Sequence, residues 1–130
     1  MSYANAVLNA LDPEGNLINY RLFRDRCILK EGCYLKDLGI LKNRDLRNVV
    51  IVDNSIISFS KHLSNGIHVQ SYFGQSNDTS LLYLIPFLES IAQVNDIPAE
   101  LDKKHGLNTL FRWYTKRTED QNDNTESSLQ

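Results

Sequence analysis

Four consecutive β-branched residues, Val49-Val50-Ile51-Val52, end abruptly in Asp53-Asn54-Ser55. A short apolar run with no polar alternation predicts a strand buried on both faces, as in a parallel sheet covered by helices. That expectation constrains the chain more than any other feature, because parallel strands need crossovers and so impose an α/β class. It also locates chemistry, since ligands in open α/β sheets collect beyond the carboxyl ends of strands. Asp53 is well placed there to hold a hard cation, although a carboxylate and an amide capping a loop produce the same string.

The rest of the chain reads as elements around that strand. Ala4, Val7, Leu8 and Leu11 fall at helical spacing, and Asp12-Pro13-Glu14-Gly15 ends the helix in a turn. Tyr20-Arg21-Leu22-Phe23-Arg24 alternates in the strand manner. Cys27-Ile28-Leu29 and Cys33-Tyr34-Leu35, joined through Lys30-Glu31-Gly32, predict a short hairpin. A brief helical turn follows from Asp37 to Leu41, and Ile67-His68-Val69 after Gly66 predicts another strand. Asn77-Asp78-Thr79 offers N-caps for a long apolar helix in which Pro86 either makes a kink or marks the first turn. Pro98 opens a further helix, and Leu107, Leu110, Phe111 and Tyr114 form the stripe of a last one. From Thr118 the chain is polar and is expected to be disordered, giving one α/β domain over 1–117 and a tail over 118–130.

Composition closes off several function classes. Fourteen Lys and Arg nearly balance sixteen Asp and Glu, a net charge of −2, which argues against bulk nucleic-acid binding or an acidic membrane surface as partner. The longest apolar stretch, Leu81 to Leu88, is broken by Tyr83 and Pro86 and is far short of the roughly 20 residues of a bilayer span. No positively charged start with an apolar stretch follows Met1, so a secretory signal is not expected. Cys27 and Cys33 are too few for a disulfide framework and not spaced as C-x-x-C, so reduced, buried thiols are expected. His62 and His68 fit no helical metal face, and His105 sits near a loop, so core or surface roles are expected for all three. Lys42, Arg44 and Arg47, interleaved with Asp45, read as a solvated face. Lys36 and Arg24, each following a predicted strand, are candidate anion contacts, though such residues are also ordinary surface charges.

Three strings carry a resemblance to a known family: Tyr20-Arg-Leu-Phe-Arg24-Asp-Arg-Cys27, Gly32-Cys-Tyr-Leu-Lys36-Asp-Leu38, and Arg44-Asp-Leu-Arg-Asn-Val-Val-Ile-Val-Asp53-Asn54-Ser55. With Asn65-Gly-Ile, Ser71-Tyr-Phe, Asn77-Asp78-Thr79 and Leu84-Ile-Pro-Phe-Leu88, they closely resemble the carboxyl-terminal-domain small phosphatases. These are the FCP-homology group of the haloacid dehalogenase superfamily, and the similarity runs from about Tyr3 to Leu101. The resemblance implies a Rossmann-like fold, a parallel sheet with helices on both faces, and Mg²⁺-dependent hydrolysis of phosphoserine or phosphothreonine in proteins. It further implies that Lys36 stabilises the transferred phosphoryl group, that Asp53 completes the Mg²⁺ shell with Asn54 in support, and that Arg24 lies at the substrate face.

The sequence also departs from that pattern. The family's two catalytic aspartates lie in a D-x-D-x-T motif at the end of the first strand, and this sequence contains no such motif. Ile56 stands where family members commonly have Pro. The expectations are therefore a partial fold whose first central strand is missing, and a chain that is inactive alone for want of the attacking carboxylate. A bare strand edge would invite a strand-pairing partner or a homo-oligomer. An intracellular setting, nuclear or cytoplasmic, is expected from the reduced cysteines and the lack of a visible signal, with a mitochondrial one as the alternative. The alternative is a non-catalytic phosphatase-like protein-binding domain, such as the receptor subunit of the mitochondrial inner-membrane translocase.

Overall fold

The structure, a computed structural model, describes residues 3–106. The expected last helix and the 118–130 tail lie outside the described residues. The chain opens with helix α1 (Tyr3–Leu11), which buries none of its residues. The turn after it is organised by Asp12, a buried carboxylate that accepts the backbone N–H of Asn16 (3.0 Å), Leu17 (3.2 Å) and Ile18 (2.8 Å). Those bonds, with Ile18 foremost, hold the Asp12 carboxyl below its ordinary range. Gly15 takes φ +69°, a left-handed conformation that costs glycine little.

The alternating stretch Tyr20 to Arg24 does not become a strand; it runs as coil into a 3₁₀ turn, Arg24–Arg26. Alternation supplies only side-chain facing, and a strand also needs a neighbouring edge to satisfy its backbone. No such edge pairs with it among the described residues. The expected hairpin does form, as β1 (Ile28–Lys30) antiparallel to β2 (Cys33–Leu35) with Lys30 opposite Cys33. Its two-residue loop, Glu31-Gly32, has positive φ at both positions (52° and 77°), the twist that suits a tight hairpin.

Asp37 then caps a 3₁₀ turn (Leu38–Ile40) by accepting the Gly39 N–H at 2.8 Å, and Asp45 caps a second (Leu46–Asn48) through the Arg47 N–H at 3.0 Å. The β-branched run enters strand β3 only at its end, as Ile51–Asp53, which pairs in parallel with β4 (Gly66–His68). The crossover between them, Ile56–Asn65, is 3₁₀ helix interrupted at Phe59 and His62, where the backbone is non-helical. Phe59 is fully buried and its ring covers Gly66: a Cβ there would lie 2.0 Å from Phe59 Cε2. Buried Asn65 donates to the carbonyls of Leu46 (2.7 Å) and Val49 (2.8 Å), tying the crossover to the approach to β3.

Two helices complete the core. In α2 (Ser80–Ile91), Pro86 sits well inside the helix rather than in its first turn, and the helix continues past it. Asp96 caps α3 (Ile97–His105) by accepting the Ala99 N–H at 2.9 Å, with Pro98 in the first turn and Gly106 closing the end at φ +55°. Ile67, Ile91, Ile97 and Leu101 form the buried cluster, with Val50, Val52, Val69 and Phe87 among the side chains packed on it. No helix among the described residues is long and apolar enough to cross a membrane.

The expectation of a strand buried on both faces needs correction. Val52 packs on the core cluster and Ile51, on the alternate face, lines an open cavity, and both are only half-buried. Within the described residues β3 pairs with β4 alone, and the arrangement is mixed α/β around a small parallel sheet.

Candidate functional site

The end of β3 carries the site. The Asp53 carboxylate is nearly buried (side chain 5% exposed) and is ion-paired through Oδ2 to Nζ of Lys36, whose side chain is 49% exposed. Asp53 Oδ1 accepts the Ser55 N–H at 2.8 Å, while the Asp53 carbonyl accepts the Val69 N–H at 3.0 Å, extending the parallel pairing past β4. Lys36 arrives from the end of β2, its backbone N–H donating to the Ser58 carbonyl at 2.6 Å. Asn54 is held from the next chain segment: its Nδ2 donates to Ser71 Oγ (2.9 Å), and His68 Nε2 donates to its backbone carbonyl (3.1 Å).

Lys36, Asp53 and Asn54 stand where two cavities meet. One, of about 880 Å³, is lined also by Arg24, Cys27, Tyr34, Leu22 and Ile51. The other, of about 780 Å³, runs on past Gln70, Tyr72, Asp78 and Thr79 toward the start of α2. The Arg24 guanidinium lies over the Tyr34 ring at 4.8 Å, a cation–π contact that orients it on the wall of the first cavity. The structure thus brings Lys36, Asp53 and Asn54 to one point and places Arg24 along the cavity that opens from it.

A second charged cluster, absent from the sequence reading, adjoins the first. Asp37 pairs with Nζ of Lys61 through Oδ2 and accepts His62 Nε2 at 2.8 Å through Oδ1. The Lys61 ammonium first, then His62 and the Gly39 N–H, hold its carboxyl well below the usual carboxylate range. Separations of 24 and 25 residues left no local signal of this cluster.

The remaining candidates fall out as structural. His105 packs edge-on against Phe87, with ring centres 5.5 Å apart. Lys42, Arg44 and Arg47 are exposed, and Arg47 is bound to Asp45 by paired bonds of 2.6 and 3.0 Å that lower the Asp45 carboxyl and raise the guanidinium. Both cysteines are free thiols, but the expected burial fails for Cys33, which is exposed because β2 presents that side chain to solvent; Cys27 is half-buried on the cavity wall.

Among the described residues no group of three or more His, Cys, Asp or Glu side chains gathers as a metal cage. One carboxylate with an adjacent amide nevertheless fits Mg²⁺, which takes one or two carboxylates from protein and the rest of its shell from water and substrate phosphate. Chemically, an ammonium and a carboxylate beside open cavities are suited to an oxyanion and a hard cation bound together.

Comparison with known proteins identifies a family for the chain. A family model described as NLI interacting factor-like phosphatase matches residues 1–98. The "CTD small phosphatase-like protein 2" of Dictyostelium discoideum is 49% identical over 84% of this chain and 19% of its own length. The "CTD small phosphatase-like protein 3" of Caenorhabditis elegans is 42% identical over 87% of this chain and 39% of its own. The mouse "Carboxy-terminal domain RNA polymerase II polypeptide A small phosphatase 2" is 44% identical over 76% of this chain and 36% of its own. The chain therefore spans between about a fifth and two fifths of these relatives' length. It belongs to the NLI interacting factor-like phosphatase family.

Proposed function

We propose that this chain supplies the phosphate-neutralising and cation-holding part of a Mg²⁺-dependent protein phosphatase acting on phosphoserine or phosphothreonine. The fold in this reading is a partial Rossmann-like haloacid dehalogenase domain. The observation that carries it is the Lys36–Asp53 pair at the carboxyl end of β3, beside Asn54, where two cavities meet.

Lys36 holds an equatorial phosphoryl oxygen by exchanging part of its interaction with Asp53 for the more highly charged substrate. Asp53 and Asn54 would hold Mg²⁺, which when bound would supply Lewis-acid stabilisation of the phosphoryl oxygens. Arg24, steadied on Tyr34, meets the substrate protein along the larger cavity. The attacking carboxylate and the general acid come from a D-x-D-x-T strand, a motif that none of these 130 residues forms, so hydrolysis requires that strand to join them.

The test compares the 130-residue chain with a fusion carrying the D-x-D-x-T strand of the Dictyostelium relative, each assayed on a phosphoserine peptide with Mg²⁺. The fusion should turn over while the bare chain does not, and Lys36→Met in the fusion should lower kcat by roughly 10²–10³. Equal hydrolysis by the bare chain, or an unchanged kcat with Lys36→Met, contradicts the reading.

A further inference from the structure

Lysine is a poor choice for a fixed position. Its four-carbon stem has many rotamers to lose, and the Lys36 side chain is half in solvent. What aims it must therefore come from the backbone beneath it. The Lys36 N–H is held by the Ser58 carbonyl. Asp37, one residue on, has extended backbone (φ −97°, ψ 110°), so its side chain leaves from the opposite side to that of Lys36. There it is gripped by Nζ of Lys61, by His62 Nε2 at 2.8 Å and by the Gly39 N–H at 2.8 Å. Ser58, Lys61 and His62 all belong to the crossover that begins three residues after Asp53. Lys36 and its partner Asp53 are thus fastened to one segment by independent anchors.

We propose that Asp37 is a positioning residue: by clamping to Lys61 and His62 it turns the β2 exit so that the Lys36 ammonium is held against Asp53. The benefit to catalysis rests on the role given to Lys36 above, but the clamp itself does not, and its test needs no turnover. Asp37 and His62 are well shielded (side chains 19% and 17% exposed), where such a bond is worth more than a fully exposed surface pair, while Lys61 closes the clamp from the solvent side at 42% exposed.

The experiment is residue-resolved acetylation of the whole chain with limiting reagent, read by peptide mass spectrometry, with exposed Lys30 and Lys103 as internal references. In the wild type Lys36 should react more slowly than either. Asp37→Ala should raise the Lys36 rate several-fold toward the value set by Asp53→Asn, with Lys30 and Lys103 unmoved. The paired variant Lys61→Met/His62→Gln, which leaves Asp37 in place, should do the same. An unchanged Lys36 in both variants overturns the proposal. So does a parallel rise at every lysine in both, which marks the cluster as general stability alone.

Discussion

On the side of the sheet where Val52 and Ile67 point, Ile67, Ile91, Ile97 and Leu101 are each no more than 8% exposed and form a closed cluster with the faces of α2 and α3. On the other side Ile51 looks into an open cavity of about 880 Å³, and α1, whose apolar stripe reads as clearly as any in the sequence, buries nothing. An amphipathic pattern specifies a face needing cover without saying what covers it. The difference between the two sides also explains where the site lies. Lys36, Asp53 and Asn54 sit at the seam, anchored from the filled half and open toward the unfilled one.

Mutations break or sharpen that contrast. Phe59→Ala removes a fully buried ring from over Gly66 and should cost about 3–5 kcal/mol in urea unfolding. Gly66→Ala forces a methyl into the same ring and should cost about 1–3 kcal/mol; a neutral result would mean that the crossover can shift away from β4. Asp96→Ala, which strips the α3 cap, should cost about 1 kcal/mol.

Asp37→Asn carries a pH signature. The Asp37 carboxyl is held below its ordinary 3.8, so the folded state takes up that proton less readily than the unfolded chain. Its contribution is complete above about pH 4 and is lost as pH falls further. The gap in urea midpoint between wild type and Asp37→Asn should therefore be largest near neutrality and close on acidification. A gap that widens in acid would place the cause elsewhere. The smallest effect belongs to the open side: Leu11→Ala, at a position 67% exposed, should change stability by no more than about 0.5 kcal/mol. A loss comparable to that of Phe59→Ala would show α1 to be packed in solution and would erase the contrast.

What the sequence made legible was local. The Lys30-Glu31-Gly32 link announces its hairpin through Gly32, which takes φ +77° at little cost, and Pro98 announces α3 by its fixed φ, whereas the positive φ of Glu31 and the Asp96 cap come from the structure. The end of β3 was legible because β-branched residues stop at Asp53-Asn54, and the family strings named Lys36 and Arg24. The illegible parts depend on distant partners. Tyr20 to Arg24 has the pattern of a strand and no edge to pair with among the described residues. Phe59 looks unremarkable between two serines, yet it is the most buried side chain in the crossover because Gly66, seven residues on, leaves it room. Asp37 reads only as the start of a short turn, and its clamp on Lys61 and His62 emerges only once the crossover folds back on β2.

The proposed function requires Lys36 and Asp53 to form one site for phosphate and a hard cation. Calorimetric titration of inorganic phosphate into the 130-residue chain, with and without Mg²⁺, tests it most directly. Phosphate should bind, more tightly with Mg²⁺, with binding abolished in Lys36→Met and its Mg²⁺ dependence lost in Asp53→Asn. Identical phosphate binding by the wild type and both variants, with no effect of Mg²⁺, would contradict it.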